Sequence, residues 1–289
     1  MDLLALLIDT ARISAIYALL GVAWVMVFRA SGVLNFAVGQ FLVLGVFVFY
    51  ALDQAGVPLV VAFVLSLVLL AAAGAAVYLG LIRRVIGLPI YAPIMLTFGL
   101  AIVMDAILGI VWGPEGRNLT APFADKRYRF GGDASISNLE IAVIVLAVVL
   151  FACIIVLLKF TRVGTQMRAS SESPLLASQR GVHINSLIAL GWALSFVGAT
   201  AGGIGFAYTS SASTSLVELG LRGLAPALVG GLDSIGGLIA GSVIVALSQI
   251  VGVHFFGSGA SEVTAYVLLI CVLWVRPSGL FGRREAQRV

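Results

Sequence analysis

The chain has 289 residues, of which 61% are hydrophobic and only 10% charged. A soluble domain carries about 45–50% apolar and about 25% charged residues, so a water-soluble fold is excluded and a multi-pass membrane protein is expected. The formal charge is +4 and no basic run is longer than Arg283-Arg284, which argues against a nucleic-acid surface and for positive charge as a topogenic signal facing membrane lipid.

At about 20 apolar residues per crossing, the sequence predicts an all-α polytopic bundle of about 8–9 transmembrane segments. It forms a single transmembrane domain over 1–289. The start, Met1-Asp2, lacks a basic n-region and a small-residue cleavage site, so residues 3–28 read as a retained first span with its lead-in.

Charges punctuate the apolar segments that follow. Span one covers about 11–28 and is closed by Arg29; span two covers 34–52, closed by Asp53; span three covers 58–82, closed by Arg83-Arg84; span four covers 90–112. A polar connection over 113–138 leads to span five at 139–158, closed by Lys159. A second polar stretch over 161–185 leads to span six at 186–208. A Gly- and Ser-rich element at 213–231 is either a crossing or re-entrant, and 235–256 and 262–275 are the last spans.

With the N-terminus outside, eleven of the seventeen Lys and Arg residues fall on the inner side and six outside. The positive-inside rule then puts the C-terminus and the 161–185 stretch in the cytoplasm and 113–138 outside. Gly198-x-x-x-Gly202 and Gly237-x-x-x-Gly241 have the spacing that lets helix backbones approach closely. A role for some glycines in giving room to a solute path is the alternative.

Chemistry is conspicuous mainly by its absence. A nucleotide-binding P-loop needs G-x-x-x-x-G-K-[ST], and the two lysines, Lys126 and Lys159, follow Asp125 and Leu158. The chain cannot hydrolyse ATP by that route. His183 and His254 lack Cys, His or carboxylate neighbours at ligand spacing, so no metal site is expected, and no acid, base and nucleophile set marks an enzyme. Cys153 and Cys271 each lie in an apolar stretch and read as small packing residues.

Asp105 is the only charge between Arg84 and Glu115 and lies about two-thirds along span four. A central Asp costs about 2.5–3.5 kcal/mol to insert, so its carboxylate must face protein, water or a partner. It is either a pathway or proton-linked residue, or a structural hydrogen-bonding group. Asn35, Phe36, Gly39 and Gln40 lie where span two begins. They either break the helix beside a cavity, or Asn35 is simply an N-cap. Residues 164–182 read as a short amphipathic helix that Pro174 kinks or begins and Gly181 ends. It is either an interfacial helix or a docking element for a cytoplasmic partner.

These segments, in order, resemble the permeases of branched-chain amino acid ABC importers, the LivH type. The resemblance runs through Ile16-Tyr17-Ala18-Leu19, through Leu34-Asn35-Phe36-Ala37-x-Gly39 and through the 164–182 loop. It continues through the stretch from Ala227 to Gly237 and the ending Arg276-Pro277-Ser278-Gly279-Leu280-Phe281-Gly282. It implies a bacterial inner-membrane protein with a second permease subunit of similar type, two cytoplasmic ATP-binding subunits and an extracytoplasmic solute-binding protein. No cofactor is bound directly; ATP is used by the partners.

The same resemblance implies that the 164–182 loop seats on an ATPase through Gly164, Arg168, Ala169, Pro174, Ala177 and Gly181. The solute path is expected beside Asn35, Phe36, Gly39, Gln40, Thr97 and Asp105. Relatives of this kind often carry His and Glu where Val38 and Gln40 stand here, and a different polar residue at Asp105. Val38 suggests a less polar or aromatic cargo. Two rival readings are an ion-coupled secondary carrier using Asp105 and a structural or assembly subunit without a path.

Overall fold

The computed structural model describes residues 3–89, 91–119, 126–130, 135–172, 174–257 and 259–282. Helix α1 (Leu3–Ser31) precedes α2 (Val38–Gln54), α3 (Leu59–Gly80) and α4 (Tyr91–Trp112). The strands β1 (Arg127–Arg129) and β2 (Ser135–Ser137) form an antiparallel hairpin ahead of α5 (Asn138–Phe160). Then come α6 (Arg162–Glu172), α7 (Pro174–Gln179), α8 (Ile184–Ala207), α9 (Val217–Arg222), α10 (Leu224–Gly230), α11 (Ile235–Phe256) and α12 (Ala260–Val275).

Among the described residues, α1, α3, α4, α5, α8 and α11 are long and apolar enough to cross a bilayer, and α2 and α12 are shorter apolar helices. The expected spans therefore each correspond to a helix. The hairpin inside the 113–138 connection was not foreseen, and α1 begins well before residue 11.

Helix α1 is the hub. Its packing rests on small residues: a Cβ at Gly191 would strike Ala30, one at Gly198 would crowd Val22, and one at Gly202 would crowd Leu20 and Leu19. Helix α8 thus runs antiparallel to α1 with its backbone close. Gly237 and Gly241 face Gly230 and the Pro226 carbonyl of α10. Both G-x-x-x-G pairs therefore serve helix packing.

Polar bonds pin the same contacts. Ser195 Oγ donates to the Ala23 carbonyl at 2.7 Å, and Tyr17 Oη donates to Gln249 Oε1 at 2.7 Å. The start of α5 is fixed by a capping box: Ser137 Oγ accepts from the Glu140 N–H at 3.2 Å, and Glu140 Oε2 accepts from the Ser137 N–H at 2.9 Å. Arg12 on α1 donates to the other Glu140 oxygen at 2.6 Å.

The contacts define two ends. Arg12, Glu140, and the bridge between Arg117 and Ala212 mark one. Ala30 against Gly191 and the Arg168 contact with the Leu158 carbonyl mark the other. The 213–231 element runs from the first toward the second, as a 3-10 turn (Thr214–Leu216), α9 and α10. At its far end Gly230 packs on Gly237, and the Val229 and Gly230 carbonyls accept from the N–H groups of Leu280 and Phe281. It is a broken crossing, and Leu3 and Gly282 lie at opposite ends of the bundle.

Replacing Glu140 by Ala leaves the Ser137 N-cap bond but removes the glutamate half of the capping box and the Arg12 tether. Each lost hydrogen bond costs about 0.5–1.5 kcal/mol, and more where a charge is involved, so the detergent-purified variant is expected to unfold at a lower temperature than wild type in a fluorescence melt. An unchanged melting temperature would show the tether to be idle.

Candidate functional site

Two breaks in the helical path meet inside the bundle. The first lies between α1 and α2. Gly202 on α8 sits at Leu19 and Leu20 while its neighbour Gly203 sits at Leu42. Helix α2 therefore begins near the level of Trp24, roughly 10 Å inside the end of α1 at 1.5 Å per residue. The chain turns back at Gly32, whose φ of +68° suits glycine, and residues 33–37 lie within the bundle.

Side chains hold this irregular stretch. Asn35 is 1% exposed and its Oδ1 accepts from the Ala37 N–H at 3.0 Å. That is an Asx-type turn. Ala37, not Asn35, occupies the N-cap position of α2, and no side chain caps it. Thr97 on α4 is fully buried; its Oγ1 accepts from the Phe36 N–H at 3.3 Å and donates to the Ile94 carbonyl at 2.9 Å. Irregular backbone at this depth is tolerated only when protein satisfies it, and Thr97 and Asn35 do that here.

The second break is the junction of α9 and α10 at Gly223. Gly220 lies on Gly39, the second residue of α2: a Cβ on either would strike the other's helix, at the Gly39 backbone or the Val217 carbonyl. The Gly220 carbonyl accepts from Trp24 Nε1 at 2.9 Å. Gly39 is thus a packing residue, closing α2 on α9.

Beside this crossing of breaks is a cavity of about 630 Å³. Phe36 of the 33–37 stretch, Gln40 of α2, Phe98 and Asp105 of α4, Leu224 of α10, and Tyr266 and Leu269 of α12 are on its wall. Phe36 stacks on Phe98 with ring centroids 4.3 Å apart and meets Trp24 edge-on at 5.7 Å. Gln40 is 8% exposed, and its Oε1 has no hydrogen-bond partner among the described residues; the same holds for Asn35 Nδ2. Asp105 is exposed, on a helix largely uncovered by the rest of the chain. Val38 is buried and off the cavity wall, so it gives no support to a reading of the cargo.

Of the path candidates, Phe36, Gln40 and Asp105 come together on the cavity, while Asn35, Gly39 and Thr97 support the backbone around it. Sequence reasoning missed Phe98, Leu224, Tyr266 and Leu269. The Gly220-Leu-Arg-Gly223 interruption in an apolar stretch was the available signal.

At the opposite pole of α5, the coupling candidates fold as two helices, α6 and α7, with Pro174 opening the second. Gly181 follows at φ +78°. Ala169 and Gly181 are exposed, whereas Gly164 and Ala177 are buried. Arg168 donates to the Leu158 carbonyl near the end of α5, where a cation also complements the helix dipole. Leu176, not among the candidates, is 62% exposed.

Mutually opposed glycines leave no room for side chains, so Gly220→Leu is expected to separate α9 from α2. Overpacking costs about 1–3 kcal/mol, which a lowered melting temperature and faster proteolysis of 209–223 would report. Wild-type behaviour in both would show the two breaks to be independent.

Comparison with known proteins agrees with this architecture. Residues 6–273 match the family described as the permease component of the branched-chain amino acid transport system. The high-affinity branched-chain amino acid transport system permease protein BraD of Pseudomonas aeruginosa is 24% identical, over 98% of this chain and 97% of the relative. Its LivH counterpart in Escherichia coli K12 is 22% identical over 94% and 93%. The solved structure of PsaBC from Streptococcus pneumoniae in complex with Fab has a similar fold, with TM-score 0.52 at 15% identity, covering 94% of this chain and 92% of that one. The chain is a multi-pass membrane protein and belongs to the branched-chain amino acid transport permease family, as a non-catalytic component of a multi-subunit ABC transport system.

Proposed function

We propose that this chain is one of a pair of similar permease subunits of an ATP-driven importer in a bacterial inner membrane. The pair moves a branched-chain amino acid, or a related small amino acid, amide or organic acid, inward by alternating access. An extracytoplasmic binding protein delivers the solute at the end holding Arg12 and Arg117. Two cytoplasmic ATP-binding subunits dock at the α6–α7 end, where the C-terminus also lies.

One observation carries the reading: a mostly apolar cavity among broken helices, in a chain whose sequence has no P-loop. Force must then arrive from another subunit. Supporting the docking end, α6 is tied to α5 by Arg168, and α7 leads through Gly181 into α8, the longest partner of α1. A push on α6–α7 moves α5 and α8, both packed on the hub. Ala169, Leu176 and Gly181 offer the exposed contact surface, with Gly164, Pro174 and Ala177 shaping the two helices behind it. The cation bias toward this end supports its placement in the cytoplasm. Asp105 serves here as a wall residue of the path, not as the site of an ion-coupled carrier.

Arg168→Glu sets a carboxylate against a carbonyl at a helix C-terminus, and Leu176→Asp puts a charge on the exposed apolar contact. Both are expected to insert normally, yet to cut ATP-driven uptake in membrane vesicles by about tenfold or more, equivalent to about 1.4 kcal/mol of coupling. Leu176→Asp should also reduce co-purification of the ATP-binding subunits. Full uptake by both variants would remove the docking role from α6–α7.

A further inference from the structure

The cavity's few polar groups share one electrostatic sense. Asp105 carries an exposed carboxyl group on a membrane-spanning helix that is mostly uncovered among the described residues. Such a group is costly against lipid and needs water, protein or a ligand. Gln40 is more than nine-tenths buried, lines the same cavity, and its carbonyl oxygen has no hydrogen-bond partner among the described residues; a buried acceptor left unpaired costs about 1–3 kcal/mol. The stacked pair Phe36–Phe98 lies on the same wall, and aromatic faces attract cations. Among the described lining residues none is basic. Leu224, Leu269, Ile102 and Ala101 make the remainder apolar, and the volume of about 630 Å³ lies within the usual span of small-ligand sites.

We propose that this cavity is a recognition site for the ammonium end of an α-amino acid, with Asp105 and Gln40 Oε1 as its acceptors and the apolar wall taking the side chain. This rests on the importer reading above and narrows its cargo. A solute with an ammonium group and an aliphatic body suits the site. An organic acid anion has no ammonium group to pair with Asp105, and urea has no body for the apolar wall. The permease therefore adds a second selection after the binding protein, at the level of the two helix breaks.

The test uses the whole complex, with its own partner subunits and binding protein, in proteoliposomes. Uptake of radiolabelled leucine and ATP hydrolysis are measured together. Asp105→Asn is expected to lower the initial uptake rate by about tenfold or more, the loss of one charge-assisted contact. Asp105→Glu keeps the carboxylate and should stay within about threefold of wild type, about 0.7 kcal/mol. Gln40→Leu should fall with Asp105→Asn, and Val68→Leu on the exposed face of α3, away from the cavity, should not. Stimulation of ATP hydrolysis by loaded binding protein should persist in all four.

Wild-type uptake by Asp105→Asn would overturn the inference while leaving the importer reading intact. Equal loss of uptake and ATP hydrolysis in Asp105→Asn and Asp105→Glu would also overturn it, since the residue would then be structural. Failure of the wild-type complex to carry any α-amino acid would refute the cargo reading itself.

Discussion

In the hydrocarbon core a peptide group that leaves a helix finds no water. That constraint governs this molecule, because its helical path is interrupted twice within the bundle, by the irregular stretch at 32–37 and by the junction of α9 and α10 at Gly223. Each departure is made tolerable by protein. Thr97 and Asn35 bond the N–H groups of Phe36 and Ala37, and Trp24 bonds the Gly220 carbonyl. The two breaks are also pressed together through Gly39 and Gly220, where any side chain would intrude. A cavity follows from this: a helix that starts late and a crossing that kinks leave unfilled space between α2, α4, α10 and α12.

The rest of the bundle supplies rigidity around that space. Little hydrophobic drive exists between helices in lipid, so association depends on close packing. Helix α1 provides it, receiving Gly191, Gly198 and Gly202 of α8 along one side and Leu238 of α11 at Gly21. By contrast, α3 and α4 present many exposed aliphatic side chains, such as Val60, Val68, Val103 and Ile110. Those faces suit lipid or a second subunit. The central helices are thus fixed, and under the proposed docking α6–α7 would pass an applied force to the ends of α5 and α8.

Much of this is legible in the sequence. Asp53, Arg83-Arg84 and Lys159 marked helix ends because charges cannot sit in the apolar interior without cost. The glycine pairs at 198 and 237 announced close helix contacts through spacing alone. The site was legible only in part. Phe36, Gln40 and Asp105 were chosen as polar or unusual residues near apolar stretches, and they do share a wall. Gly39 looked the same in sequence, yet it packs on α9; which way a residue at a helix start faces depends on a segment nearly two hundred positions away. Within 164–182 the buried and exposed residues could not be sorted, because a short helix joined to its neighbours at a proline has no fixed phase. Ala177 is buried and Leu176 exposed, although both suit either face.

On the proposed reading this chain holds the cavity, and the energy for transport comes from partner subunits. The most direct measurement is uptake of labelled branched-chain amino acid into proteoliposomes that contain the chain with all its partner subunits, with the ATP-binding subunits omitted in a parallel set. The account predicts uphill accumulation with ATP in the full assembly and none without the ATP-binding subunits, whatever pH or sodium gradient is imposed. Uphill accumulation by the assembly lacking them would contradict it.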